Sequence, residues 1–237
     1  MFIDELQKAA GQSKINFSDN QLTKFDNFYK LVIDWNDKIN LTAITNPQDF
    51  AIKHIIDSVL IWNDNKFANV KSIIDVGTGA GFPGIPLKIY KPHLKVTLLD
   101  SLAKRINFLK AAVTEIQLDD VNCIHSRAED AAHSVELREN FDIAVSRAVA
   151  KLNILTEYCL PFVKVGGYFA ALKGANIKDE LQESKSAVKQ LGGAHVECIN
   201  INLPNGNERN LIYMKKAVNT AKNFPRKAGL PERKPLI

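Results

Sequence analysis

Asp75-Val76-Gly77-Thr78-Gly79-Ala80-Gly81-Phe82-Pro83-Gly84 places four of the chain's 12 glycines in one decapeptide. A short apolar run, Ser72 to Val76, leads into it, and a helix-like stretch from Ile85 to Tyr90 follows. Glycine lacks a Cβ, so such a turn lets backbone amides approach a ligand closely and adopt positive φ. The spacing also says which ligands do not fit. A dinucleotide fingerprint G-x-G-x-x-G needs a third glycine where Phe82 stands. A triphosphate loop G-x-x-x-x-G-K-[ST] matches Gly79 to Gly84 in spacing, but Ile85-Pro86 replaces its lysine and hydroxyl. What remains is a ligand carrying little phosphate.

Outward from this turn, short and nearly continuous apolar runs recur at 96–99, 121–124, 141–145 and 168–172. Helix-like segments separate them at 102–116, 152–158 and 177–191. Strands buried on both faces read this way, and their alternation with helices predicts an α/β fold with a doubly wound, mostly parallel sheet. Two further β-like runs, 196–201 and 210–214, flank the turn signal Pro204-Asn205-Gly206-Asn207 and predict a closing antiparallel hairpin. Ahead of the first strand the period is helical. Leu22, Phe25, Phe28, Leu31, Val32 and Trp35 form one stripe of about four turns behind a Ser18/Gln21 capping box. Asn46-Pro47-Gln48-Asp49 opens a second helix with Phe50, Ile52, Ile55, Ile56, Val59 and Leu60 on its apolar face. The expected organisation is an N-terminal helical region (1–68), a ligand-binding α/β domain (69–216) and a basic C-terminal tail (217–237).

The chain of 237 residues is 46% hydrophobic and 24% charged, which excludes wholesale disorder. Its longest apolar run, 165–172, is far below the roughly 20 residues that a membrane-spanning helix needs. Acids at Asp4 and Glu5 stand where a secretory leader would be cationic, so the expected location is cytoplasmic. Cys123, Cys159 and Cys198 have no C-x-x-C spacing and read as reduced thiols. The net charge of +5 is concentrated at one end. From Lys215 onward seven basic residues face a single acid, Glu232. A basic excess confined to one segment reads as a phosphate-contacting patch, with a solvated tail as the alternative.

In a doubly wound sheet, ligands lie beyond the C-terminal strand ends. Asp100 ends the second strand, where a carboxylate can accept both hydroxyls of a ribose or cap the helix that follows. Asp75 either shapes the glycine turn through backbone amides or faces a cationic ligand group. Ser126-Arg127-Ala128-Glu129-Asp130 follows the third strand at the depth of an adenine, and Arg147 ends the fourth. A glycine turn, a ribose carboxylate and no phosphate clamp together suggest S-adenosylmethionine.

These residues resemble the bacterial glucose-inhibited division protein B family. The likeness runs through Asn40-Leu41-Thr42-Ala43-Ile44, His54-Ile55-Ile56-Asp57-Ser58, the Gly-Phe-Pro-Gly-Ile-Pro core at 81–86, and Asp100-Ser101 with Lys104-Arg105. It continues through Arg127-Ala128-Glu129, Ser146-Arg147-Ala148, Lys173-Gly174 and Phe224-Pro225-Arg226-Lys227-Ala228-Gly229-Leu230-Pro231. The resemblance implies a class I, Rossmann-like methyltransferase that modifies N7 of a guanine in 16S ribosomal RNA. It implies that Gly77, Phe82, Ala128, Glu129 and Arg147 contact S-adenosylmethionine, with Ala128 and Glu129 at the adenosine end. The implied partner is 16S ribosomal RNA or the small ribosomal subunit, with no membrane and no DNA, and a monomer is expected.

Guanine N7 has a lone pair and no proton, so its methylation needs no general base. The sequence fits that economy: it lacks the Asn/Asp-Pro-Pro-Tyr/Phe element of amino methyltransferases, and its five histidines show no paired metal-ligand spacing. Arg147 is the best candidate for a catalytic side chain. Lys104, Arg105, Arg226, Lys227, Arg233 and Lys234 are the candidate RNA contacts. Two rival readings are a small-molecule methyltransferase with a helical lid and a non-enzymatic RNA-binding module that senses the cofactor.

Overall fold

The computed structural model describes residues 1–147 and 149–237; Ala148, in the Ser146-Arg147-Ala148 motif, lies outside the described residues. Seven strands form one sheet: β1 (Ser72–Val76), β2 (Lys95–Asp100), β3 (Val121–His125), β4 (Phe141–Arg147), β5 (Val163–Lys173), β6 (Gly193–Asn202) and β7 (Glu208–Lys216). Their spatial order is β3-β2-β1-β4-β5-β7-β6. The first five strands run parallel, while β7 is antiparallel to both β5 and β6. This is the doubly wound sheet with a terminal hairpin that the sequence predicts. The order reverses between β1 and β4, so the ends of these two strands open the crevice where ligands bind.

Helices cover both faces. In chain order they are α1 (Phe2–Gln12), α2 (Asp19–Ile39), α3 (residues 47–59), α4 (Asp64–Phe67), α5 (Gly84–Tyr90), α6 (Ala103–Glu115), α7 (Ala128–Ala131), α8 (Leu152–Cys159), α9 (Lys178–Gln190) and α10 (Leu230–Arg233). Ser18 and Gln21 exchange the two capping bonds expected of them at the start of α2, which runs for 21 residues rather than four turns. Asn46 Oδ1 accepts from the amides of Gln48 and Asp49 to open α3. That helix is α-helical at Pro47–Phe50, π-helical at Ala51–Ile56 and α-helical again at Asp57–Val59. The wider turn re-aims the side chains after it, and such turns concentrate at functional sites. The sequence reading does not single out α1; its Phe2, Leu6, Ala9 and Ala10 are buried.

The N-terminal helices share a core with the sheet. Phe2, Leu6, Phe25, Phe28 and Phe50 belong to the same apolar cluster as Ile73, Leu98, Ile143 and Ala170 on one sheet face. The opposite face packs Ile74, Leu99, Ala144 and Phe169 against Leu155 and Cys159 of α8 and Val188 of α9. Of the three free cysteines only Cys159 is buried; Cys198 is exposed on β6. No helix among the described residues is long and apolar enough to cross a membrane.

Candidate functional site

The glycine turn is fixed from below by a buried acid. Asp75 Oδ2 accepts from the Thr78 hydroxyl (2.6 Å) and the Gly84 amide (2.8 Å), which closes the decapeptide into a loop. Its other oxygen has no partner among the described residues, and complete burial pushes the carboxyl up to about 7. Of the two roles open to Asp75 on sequence, shaping the turn is the one these bonds perform. Gly77 has φ +72, and a Cβ there would stand 2.7 Å from a Val149 methyl, so both backbone and space demand glycine. Gly79 has φ +61 with open space where its Cβ would be, which is room for a ligand.

Asp100, almost wholly buried, reads the same loop from the neighbouring strand. Its Oδ2 accepts from the Gly79 amide and its Oδ1 from the Leu102 amide, both at 2.9 Å, while Arg105 approaches at 3.4 Å. It therefore holds the loop and the start of α6 together. Glu129 is buried at the start of α7 beside half-buried Ala128.

Arg147 is the centre of the opposite wall. Its guanidinium donates to the Lys53 carbonyl (2.9 Å), to Asp57 Oδ2 (3.1 Å) and to His54 Nδ1 (3.1 Å), and it lies 5.0 Å over the Phe82 ring. Phe82 in turn stacks on His54 at 4.3 Å. Because Arg147 is a donor only, His54 Nδ1 must accept and Nε2–H must donate to Thr42 Oγ1 at 2.8 Å. Burial, with Arg147 adjacent, holds the imidazole down at about 3, so it stays neutral. Asp57 Oδ1 accepts from Arg209 Nε at 3.0 Å, so one buried carboxylate joins the end of β4 to the start of β7.

Three cavities follow one another along this edge. The first, about 130 Å³, is lined by Gly77, Asp100, Ala128, Glu129 and Tyr158. The second, about 430 Å³, shares Gly77 and Asp100 and extends past Gly79, Phe82 and Arg105 to Arg147. The third, about 600 Å³, shares His54 and Arg147 and is lined by four cationic side chains, Lys53, Arg147, Lys173 and Arg209, against the carboxylates of Asp57 and Glu180. All six residues expected at a cofactor, Gly77, Phe82, Asp100, Ala128, Glu129 and Arg147, thus line the first two cavities.

The basic candidates are dispersed. Lys104 is exposed and Arg105 half-buried at the start of α6; Lys227, Arg233 and Lys234 are exposed on the tail. Arg226 differs, because it spends its donors inside the protein on Glu157, at 2.6 Å and 2.9 Å, and on the Lys234 carbonyl. Thr42, His54, Asp57 and Arg209 are not among the candidate site residues that the sequence offers. Thr42, His54 and Asp57 do fall in the motifs that carry the family resemblance, and Asp57 is also a lone acid within Ile55-Ile56-Asp57-Ser58-Val59; Arg209, 152 residues away, has no such signal.

A glycine turn and an acid at adjacent strand ends of such a sheet fit the class of S-adenosylmethionine-dependent methyltransferases, and solved members of that class share the fold. The chain aligns with an O-methyltransferase from Bacillus cereus solved in complex with SAH (TM-score 0.57, 16% identity, 80% of this chain and 90% of that one). It aligns similarly with M. jannaschii TYW2 in complex with AdoMet (TM-score 0.52, 16% identity, 69% and 76%). The family model of rRNA small subunit methyltransferase G (GidB) matches residues 21–212. Ribosomal RNA small subunit methyltransferase G of Clostridium kluyveri is 50% identical over 222 residues, 94% of this chain and 93% of its own, and that of Brevibacillus brevis is 49% identical over 225. The chain belongs to this family of methyltransferase enzymes, as its motifs imply.

Proposed function

We propose that this protein transfers a methyl group from S-adenosylmethionine to N7 of a guanine in 16S ribosomal RNA of the small subunit. The observation that carries the reading is the series of three adjoining cavities from Glu129, past the glycine turn, to the basic cavity beyond Arg147, each sharing lining residues with the next. Gly77, Asp100, Ala128 and Glu129 fit an adenosine: a carboxylate for ribose hydroxyls, a glycine edge without bulk, and no phosphate clamp. Phe82, Gly79 and Arg147 border the remainder of the cofactor. When bound, S-adenosylmethionine supplies an electrophilic methyl group on a sulfonium sulfur.

The chain's own task is alignment. Guanine N7 offers a lone pair, and the neutral, buried His54 neither takes a proton nor adds charge beside it. Arg147, held on three sides by Lys53, His54 and Asp57, is a fixed partition between the cofactor side and the basic cavity. A group so restrained keeps its geometry as charge redistributes, which is how preorganised electrostatics lowers a barrier. The basic cavity suits a nucleotide, and Lys104, Arg105, Lys227, Arg233 and Lys234, which lie away from that cavity, supply sequence-independent phosphate contacts to the flanking RNA. Arg226 serves them by anchoring the tail. The N-terminal helices, built into the sheet's own core, do not resemble the hinged lid of the small-molecule reading.

The test is incubation with methyl-labelled S-adenosylmethionine and ribosomal RNA from cells lacking this protein. Label in the RNA fraction is expected. Turnover that needs no RNA would overturn the substrate assignment, and RNA binding without label would overturn the activity.

A further inference from the structure

The first cavity has a wall that does not come from the sheet edge. Besides Asp100 and Glu129, its lining includes Glu232, from the C-terminal segment, and Tyr158 of α8. The Tyr158 hydroxyl donates to Glu232 Oε1 at 3.3 Å. Three residues earlier in the chain, the Gly229 amide donates to Glu129 Oε1 at 2.9 Å, and Gly229 adopts φ +76, where other residues are strained. The segment reaches this position through polar anchors. Arg226 grips the buried Glu157, Arg138 donates to the carbonyls of Thr220, Ala221 and Phe224, and His133 bonds the Pro225 carbonyl.

We infer that the C-terminal segment is part of the cofactor site: Gly229 fixes the Glu129 carboxylate, and Glu232 closes the adenosine cavity from outside. The inference rests on the cofactor reading above and goes beyond it, because neither residue belongs to the methyltransferase sheet. One oxygen of Glu129 is already held by the tail, so a ligand on the other oxygen and the order of the tail reinforce each other. Lys227, Arg233 and Lys234 lie on the same segment, so a filled cavity also holds the proposed RNA contacts in place.

The experiment uses the full chain and S-adenosylhomocysteine as the probe. Amide hydrogen exchange is followed by peptide, with and without saturating probe, and binding is titrated calorimetrically for wild type and Glu232→Ala. Exchange across residues 226–233 should slow at least about tenfold with probe, and the Kd of Glu232→Ala should rise about three- to tenfold, the scale of one lost polar contact. Protection confined to the glycine turn, with a Kd changed less than twofold in the variant, would overturn the inference. Absence of probe binding by wild type would instead refute the cofactor reading beneath it. A chain ending at Asn223 adds a larger perturbation, but it leaves Glu157 buried without Arg226; the point variant and the wild-type exchange keep the outcome independent of that fold defect.

Discussion

The two flanks of the sheet meet the site from opposite faces and are attached by different physics. The N-terminal flank is fused through apolar packing: Phe25, Phe28 and Phe50 are fully buried in one cluster with the sheet, and α3 then presents His54 and Asp57 to Arg147. The C-terminal flank is strapped on by polar bonds, chiefly Arg226 to Glu157 and Arg138 to three tail carbonyls, with Phe224 and Leu236 only partly buried against the core. Apolar burial is non-directional and keeps a wall in place permanently. The solvent-facing hydrogen bonds of the strap are individually exchangeable with water, so residues 227–237 open at lower cost than the anchor itself, where Arg226 is paired with the buried Glu157. The comparison assigns the permanent wall to Arg147 and the responsive one to the adenosine end.

The largest effect should separate the flanks by stability. Phe28→Ala should cost ~3–5 kcal/mol in denaturant unfolding, the usual penalty for a fully buried ring. Phe224→Ala, half-buried in the tail, should cost less than about 2 kcal/mol; equal penalties would erase the distinction. Next, Arg147→Ala should lower methyl transfer by ~10²–10³-fold with an unchanged circular dichroism spectrum, since Asp57 keeps Arg209 as its partner. Undiminished transfer would remove Arg147 from the mechanism.

Comparing pH profiles of wild type and a His54 variant probes the N-terminal wall. His54 titrates at about 3 in the folded protein against an ordinary 6.5, so the unfolded chain takes up its proton first. Its contribution is complete above pH 6.5 and is lost as pH falls toward 3, on the order of a few kcal/mol in all. Asp75 works in the opposite sense: its carboxyl is raised to about 7, so its contribution declines as pH rises from 3.8 to 7. His54→Asn should therefore flatten the fall in melting temperature below pH 6.5, and parallel curves for the two proteins would contradict the neutral assignment. The smallest effect belongs to the strap. Lys227→Ala should reduce the salt dependence of RNA binding by about one unit of slope, with a modest loss of affinity; an unchanged slope would place Lys227 off the RNA.

Much of this was legible in the chain because it is local. Strand and helix positions follow from periodicity, and the glycine turn follows from residues that contact one another within ten positions, as Asp75, Thr78 and Gly84 do. The cofactor edge is legible because Asp100 ends β2 and Glu129 opens the helix just after β3, the neighbouring strand of the same repeating unit. The partition around Arg147 was not readable, since its partners come from residues 53–57 and 209, and no period or spacing links them. The π-helical turn that aims Asp57 has no sequence signal comparable to the Asn46 cap. The tail is legible as a charge excess and as the Phe224–Pro231 part of the family likeness, and neither distinguishes Arg226, sequestered on Glu157, from exposed Lys227 beside it.

The most direct measurement is the position of the methyl group. Ribosomal RNA modified in vitro by wild type and by Arg147→Ala would be reduced with borohydride and treated with aniline, which cleaves the chain at N7-methylguanosine. The account predicts cleavage at a guanine in 16S ribosomal RNA after wild-type treatment, with the Arg147→Ala sample nearly uncut. Label that enters the RNA and appears in another nucleoside, with no such cleavage, would contradict it.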